Sequence, residues 1–178
     1  TIHFENDSTF ASAAAQKVVI RQKIHDNLNP LSFRVGDFGF NNMTFSVTAS
    51  QPSYFNVLDL EDSLGFNVEV TAGVDVVNKE LIWVFQTIDP ATGLPPANPL
   101  AGFLPINDLL GSGKGFVTYT IKAKSTAQTG DSATAKADII FDNNDPIPTN
   151  LWINTLDAVS PTSTMNGIGS QQLVVGDS

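Results

Sequence analysis

The chain has no cysteine. A disulfide framework and a thiolate metal site are therefore both excluded. The absence says little about the cellular compartment, because many secreted bacterial proteins and many cytosolic proteins also lack Cys.

Basic residues are scarce as well. Nine Lys and Arg stand against 18 Asp and Glu, so the 178-residue chain has a formal net charge of −9. Such a charge repels nucleic acid and anionic lipid. We therefore expect no nucleic-acid partner. An acidic surface suits divalent cations, and it also simply favours solubility in a salty medium.

Long apolar runs and a leader sequence are missing too. No stretch approaches the roughly 20 consecutive apolar residues that cross a bilayer, so we expect no membrane insertion. The first residues read as a strand rather than as a signal peptide. Linker composition begins at residue 158 and leads into a strand-like Leu173-Val174-Val175. We predict a β module over residues 1–157 and, over 158–178, a linker with the start of a following segment, all within a longer chain.

Catalytic groups are few. The chain has two histidines, His3 and His25, on a predicted strand and a predicted turn. Neither has a sequence context that indicates the positioned base a Ser nucleophile needs. The glutamates that glycoside hydrolysis would require lie on predicted hairpins with no sign of a cleft. We predict that the protein is not an enzyme.

Alternation of apolar and polar residues is the dominant pattern. Residues 117–124 and 133–141 each place apolar side chains on every second position, which is the period of a strand with one wet face. A Gly-containing loop at 126–130 separates them, so we predict an antiparallel hairpin. A second hairpin is predicted from residues 54–60 and 66–72, around a tight turn at 61–65.

Other segments predict further strands. Residues 17–24 are rich in β-branched residues, and residues 43–49 alternate over a long stretch. A short strand over 31–35 is expected to stop at Gly36, with a bend or bulge at 38–42. The unbroken apolar run at 81–85 predicts a central strand covered on both faces, with Trp83 in the core and its indole N–H bonded to a partner.

A different composition appears in residues 87–114, with five prolines and four glycines among large apolar residues. A disordered linker seldom carries so many Leu and Phe side chains. We predict an ordered loop packed over one end of the fold, where it either plugs the core or serves a function. Together, about eight or nine short strands predict an all-β, antiparallel, immunoglobulin-like β-sandwich with one long ordered Pro/Gly-rich loop.

Several blocks of the sequence occur in the order typical of a module in very large bacterial proteins. They are residues 3–6, 87–93, 99–105, 115–120, 140–144 and 154–157. On these blocks the chain resembles an immunoglobulin-like β-sandwich repeat module of secreted or surface-attached bacterial proteins. The resemblance implies a non-catalytic structural or adhesion module, located outside the cell or on its surface, whose partners are neighbouring domains of the same chain.

A calcium site is the strongest chemical hypothesis. Its predicted ligands are the oxygen-bearing residues Asp142, Asn144, Asp145, Glu5 and Asp7. Calcium takes about six to eight oxygen ligands, and the first three residues resemble the start of the cadherin inter-repeat calcium linker, although Pro146 departs from that motif. Glu5 and Asp7 complete the shell only if the first strand lies beside the last. The alternative is that these are ordinary turn residues. Asp59, Glu61 and Asp62 form a second, weaker cluster.

Carbohydrate binding is the alternative function, as a module attached to a polysaccharide-active enzyme. Exposed aromatic rings would then stack on sugar faces, and the candidates are Trp152 and Tyr54, followed by Phe38 and Phe40. Such a site predicts two or three coplanar exposed rings. The structural alternative is that Trp152 caps the core or packs against a neighbouring domain.

Overall fold

The computed structural model describes residues 1–48 and 50–157, and their dominant element is the extended strand. The strands are β1 Ile2–Glu5, β2 Lys17–Lys23, β3 Arg34–Phe40, β4 Met43–Phe45, β5 Tyr54–Leu58, β6 Asn67–Asp75, β7 Glu80–Ile88, β8 Lys114–Thr120, β9 Ser132–Ala135, β10 Ala137–Phe141, β11 Ile147–Pro148 and β12 Trp152–Thr155. Within these described ranges, helical structure is limited to a 3₁₀ turn, Pro30–Ser32, and the one-turn helix α1, Glu61–Leu64. The predicted linker at 158–178 lies outside the described residues.

Two antiparallel sheets enclose the core. One has the strand order β1-β8-β3-β4, and the other has the order β11-β10-β2-β7-β6-β5. Strands β12 and β9 form a separate two-stranded ribbon. The predicted all-β antiparallel sandwich is confirmed.

The central strand of the larger sheet is β7, which pairs with β2 on one side and with β6 on the other. Its central position is confirmed, but the expectation that both faces are equally covered is wrong. Burial alternates, because Leu81, Trp83 and Phe85 are fully buried while the residues between them are only half-buried. One face therefore meets the core and the other carries apolar residues near the surface.

Trp83 occupies the predicted core position, where its ring contacts those of Phe33 and Tyr119. The expected partner for its indole N–H is not present. Within the described part of the chain, Nε1 of Trp83 is buried without a hydrogen-bond acceptor. Packing of the large ring therefore outweighs the cost of one unmade bond here.

The predicted hairpin of residues 117–141 is wrong. Strand β8 pairs with β1 and β3, whereas β10 pairs with β2 and β11 in the other sheet. The chain between them crosses from one sheet to the other. Alternation identifies a strand with one buried face, but it does not identify the partner strand, because strands in either sheet bury the same kind of face.

The second predicted hairpin is confirmed. Strands β5 and β6 pair antiparallel, with Tyr54 opposite Ala72 and Leu58 opposite Val68. The tight turn between them contains α1, which ends at Gly65 in the left-handed conformation at φ 79°. A glycine in that position adopts positive φ without steric cost.

Strand β3 is longer than the sequence indicates. It continues past Gly36 to Phe40, with an irregular register between Val35 and Phe38. A Cβ atom at Gly36 would collide with the side chain of Thr118 on β8, so this glycine permits close strand packing rather than ending the strand. Strand β4, by contrast, covers only Met43–Phe45 of the predicted 43–49, and residue 49 lies outside the described residues.

The Pro/Gly-rich loop covers one end of the sandwich, as predicted, but only a small part of it enters the core. Phe103 and Leu104 are fully buried. The Phe103 ring lies 4.9 Å from that of Phe40, and Leu104 pairs with Ala15 as a β-bridge. The other large apolar side chains between β7 and β8 are exposed, namely Leu94, Leu100, Ile106, Leu109 and Leu110.

Replacing Phe103 by Ala should destabilise the protein by about 3–5 kcal/mol, because a fully buried aromatic ring leaves a cavity when it is removed. Urea unfolding followed by circular dichroism measures this change. Leu110→Ala is the matched control in the same loop, since Leu110 is exposed, and it should alter stability by no more than about 0.5 kcal/mol. Equal effects of the two variants would show that the loop does not plug the core.

Four aspartates in loops or at a strand end have a pKa below the ordinary 3.8, namely Asp7, Asp26, Asp75 and Asp108. Asp108 is representative, because hydrogen bonds donated chiefly by Ser112 lower its pKa. Its Oδ1 accepts the backbone N–H of Ser112 at 3.1 Å and that of Leu110 at 2.9 Å. A lowered pKa means that the folded state favours the ionised carboxylate.

The stabilisation from Asp108 should be complete above pH 3.8 and should disappear as the pH falls through the lower pKa of the folded state. We therefore expect Asp108→Ala to be less stable than wild type at neutral pH, and the difference in stability to shrink as the pH falls below 3.8. Urea unfolding at a series of pH values measures it. A difference that stays constant over this range would contradict the role of the ionised carboxylate.

Candidate binding cleft

A cleft of about 530 Å³ opens on the side of the sandwich where β1 of the smaller sheet approaches β2 and β10 of the larger one. Its lining comes from both sheets, from the ribbon and from the segment before β12. The lining residues are Thr1, Ile2, His3, Gln22, Tyr119, Ala135, Lys136, Ala137, Thr149, Asn150, Trp152 and Asn154.

The ribbon forms one wall of this cleft. Trp152 of β12 lies opposite Ala135 of β9, and Asn154 lies opposite Ala133. Because residues two apart in a strand point to the same face, Trp152 and Asn154 stand on the same side of the ribbon. Trp152 is 61% exposed, and its Nε1 donates a hydrogen bond to Oδ1 of Asn154 at 3.0 Å. This bond fixes the orientation of the indole. It uses the single hydrogen-bond donor of the ring, so the two faces of the ring can make only apolar contacts.

Thr149 ties the start of the ribbon to the larger sheet. Its backbone N–H donates to the carbonyl of Ala137 at 2.8 Å, and its Oγ1 accepts the backbone N–H of Ala137 at 3.0 Å. The reciprocal pair fixes the chain just before β12. The position of Trp152 beside the cleft therefore depends on a backbone anchor rather than on apolar packing.

The cleft also contains a polar pair from the two inner sheet faces. Gln22 of β2 is only 3% exposed, and its Nε2 donates to Oη of Tyr119 at 2.7 Å. Burial raises the pKa of Tyr119, and the hydrogen bond from Gln22 opposes that shift. Because the ring of Tyr119 packs against Phe33 and Trp83, the phenol is held at the edge of the core.

Gln22 and Tyr119 are not among the site residues that the sequence predicts. A signal was present for Gln22, since it is the polar residue on the core-facing side of β2, in line with Val18 and Ile20. Tyr119 gave no such signal, because a tyrosine in an alternating strand is ordinary. The crossing of the chain between the sheets brings the two together, and no local pattern encodes that crossing.

The other predicted aromatic platform residues do not join Trp152. Phe38 and Phe40 are buried, so their predicted exposure is wrong. Tyr54 is half-buried, with its ring 5.4 Å from that of Phe38 in an edge-on arrangement. It lies on β5, at the opposite edge of the larger sheet from β10 and β11. The two predicted ligand-binding residues therefore lie apart.

The predicted calcium ligands are distributed among separate local roles. Oδ1 of Asp142 accepts the backbone N–H groups of Gln16 and Lys17 at 2.9 and 2.8 Å. Glu5 accepts a hydrogen bond from Nδ2 of Asn107 at 2.6 Å, and Asp7 accepts the backbone N–H of Thr9 at 2.7 Å. Each of these three carboxylates thus closes a turn or secures a strand end.

The remaining two predicted ligands follow Asp142 in an exposed turn. The backbone N–H of Asn144 donates to the carbonyl of Phe141 at 3.0 Å, and Asp145 is exposed. The second acidic cluster behaves similarly, since Oδ1 of Asp59 accepts the backbone N–H of Glu61 at 3.3 Å. Over residues 1–48 and 50–157, no group of three or more His, Asp or Glu side chains is arranged to hold a metal ion.

The condition under which Glu5 and Asp7 would complete the calcium shell, that the first strand lies beside the strand before Asp142, is not met. Strand β1 pairs with β8 in the smaller sheet, whereas β10, which precedes Asp142, lies in the larger sheet. Both strand ends reach the same pole of the sandwich, where Asn6 donates to the carbonyls of Ala13 and Leu104. The bridge between Ala15 and Leu104 lies between the two strand ends. The calcium site stays a prediction.

Comparison with known proteins gives one partial match. A family model described as "Domain of unknown function (DUF7619)" matches residues 103–155, less than half of the chain. No curated protein and no solved structure matches the chain. The matched segment runs from the buried Phe103 through β8 to β12, so it includes Tyr119, Lys136 and Trp152 of the cleft. Within the described residues no helix is long and apolar enough to span a membrane.

The role of Asp142 can be tested by two substitutions. Asp142→Ala removes the acceptor for two backbone N–H groups and should cost about 1–3 kcal/mol of stability, with calcium or with a chelator present. Asp142→Asn keeps a side-chain oxygen and tolerates the φ of 52° found at this residue, so it should stay closer to wild type. Thermal unfolding with calcium and with chelator measures both variants.

Asp138→Ala is the control for this experiment, since Asp138 is an exposed acidic residue on the preceding strand β10 and is not among the predicted calcium ligands. It should leave the midpoint unchanged. A wild-type midpoint that rises with calcium, together with loss of that rise in Asp142→Asn, would instead support the calcium site, because a ligand of the folded state raises the midpoint by mass action.

Proposed function

We propose that the chain is a non-catalytic structural or adhesion module of a large secreted or surface-attached bacterial protein. It works through contacts with neighbouring domains of the same protein and with the cell surface. The observation that carries this proposal is the exposure of large apolar side chains on β12, the outer strand of the ribbon that it forms with β9. The resemblance of several sequence blocks to repeat modules of such proteins supports it independently.

Each face of β12 presents one large apolar side chain. Successive residues of a strand point to opposite faces, so Trp152 and Ile153 lie on different sides of β12. Their side chains are 61% and 60% exposed, and Leu151 just before the strand is 55% exposed. A buried strand hides at least one of its faces, whereas here neither face is covered by the described residues. Adjoining exposed apolar residues of this kind mark contact surfaces.

The pairing of the ribbon also suits a contact surface. Strand β12 pairs with β9 and with neither of the two larger sheets in the described residues. One of its edges therefore keeps backbone N–H and C=O groups that an adjoining strand could use. The net charge of −9 keeps the rest of the module soluble. The ribbon therefore offers a partner both exposed apolar side chains and an open strand edge.

Ile153→Lys should reduce binding of the module to purified bacterial cell envelopes, because a charged side chain at the centre of an apolar contact must be desolvated. Ile153 faces away from the cleft, opposite Thr134. The fold should be unaffected, as the side chain is exposed. Beads coated with the 178-residue chain and counted on immobilised envelopes measure the effect.

Val77→Lys provides the matched control. Val77 is 91% exposed in the turn between β6 and β7, on a different part of the surface. Beads with this variant should bind as wild type does. Wild-type beads that fail to bind, or equal binding by wild type and Ile153→Lys, would count against the ribbon as the contact surface.

A further inference from the structure

The cleft combines an exposed aromatic face with unused hydrogen-bonding capacity. Nε1 of Trp152 is already bonded to Asn154, so the indole can offer only its apolar faces to a ligand. An aromatic face beside polar groups is the usual environment for a ring that is apolar on its faces and polar around its rim.

The pair of Gln22 and Tyr119 supplies open donor and acceptor positions. Their mutual bond uses one N–H of the amide and one lone pair of the phenol oxygen. The phenol keeps its own proton for donation, and the amide keeps its carbonyl oxygen as an acceptor. Since Gln22 is almost fully buried and Tyr119 is packed against Phe33 and Trp83, both groups are held in place before any ligand arrives.

The charge of the cleft is opposite in sign to that of the whole chain. None of the described residues that line it is Asp or Glu, although acidic residues outnumber basic ones two to one over the sequence. The lining does contain His3 and Lys136. A negatively charged ligand is repelled by most of this surface and meets a cationic side chain here.

We propose that this cleft binds a carboxylate-bearing sugar ring, that is, a uronic acid residue of a polysaccharide. The ring lies on the indole of Trp152, its hydroxyl groups bond Gln22 and Tyr119, and its carboxylate faces Lys136. A volume of about 530 Å³ accommodates one or two such rings. The inference does not depend on the structural role of the ribbon, because it uses the cleft face of β12 rather than the opposite face.

Calorimetric titration of the 178-residue chain with an oligogalacturonate hexasaccharide and with neutral cellohexaose tests the inference. The acidic sugar should bind and the neutral one should bind more weakly. Trp152→Ala should weaken binding of the acidic sugar about tenfold, because loss of an aromatic stacking contact has an effect of that order. Lys136→Gln should remove the preference for the acidic sugar and leave binding of cellohexaose unchanged.

Phe55→Ala is the control, since Phe55 is another exposed aromatic residue and lies on β5, away from the cleft. It should bind as wild type does. Thermal unfolding of each variant verifies the fold, and Lys136→Gln tests the site even if Trp152→Ala is unstable. The inference is overturned by any of three results: no binding of oligogalacturonate at millimolar concentration, equal affinity for the two sugars, or a folded Trp152→Ala that binds as wild type does.

Discussion

The packing of the two sheets against each other depends on the contacts that one buried side chain, the ring of Phe85, makes. This ring stands at the middle of the central strand β7 and lies 5.7 to 5.9 Å from the rings of Phe4, Phe38, Phe40 and Phe103. Those residues come from β1, from β3 and from the Pro/Gly-rich loop. One buried side chain thus joins the larger sheet to the smaller one and to the loop that covers the end. Tilted and edge-on ring contacts of this kind stabilise beyond the area they bury.

The cluster of aromatic rings in the core does not extend to the side of the sandwich where the cleft opens. There the inner faces of the sheets carry Gln22 and Tyr119, which bond each other across the gap. A polar pair at that position ends the apolar core and leaves room for a cleft, because the two groups need hydrogen bonds rather than close apolar packing. The chain after β10 then returns through the Thr149 anchor and places β12 beside this gap. The cleft and the ribbon are therefore consequences of where the core ends.

The two faces of β12 give the module two distinct surfaces. One face carries Trp152 and borders the cleft, and the other carries Ile153 and is open to solvent. A structural module that binds a polysaccharide in the cleft and contacts a neighbouring domain through the opposite face of β12 would use both surfaces. Carboxylates such as Asp108 and Asp142 act at the same time as acceptors for backbone N–H groups at turns and strand ends, so part of the acidic composition has a local structural cause.

The sequence by itself determined the strands and the class of fold. Alternation along β6 and the apolar run in β7 predict their burial, because the period of a strand is a local property of the chain. That the Pro-rich loop packs on the core was likewise foreseeable from its apolar residues, whereas the burial of Phe103 and the exposure of Leu110 were not. Tertiary structure alone decided which strands pair, as β8 and β10 show by lying in different sheets. It also decided that Phe38 is buried while Trp152 is exposed, since both are aromatic residues in short strands and their surroundings come from distant parts of the chain. The meeting of Gln22 with Tyr119 is of the same kind, because such contacts arise only when the two sheets pack.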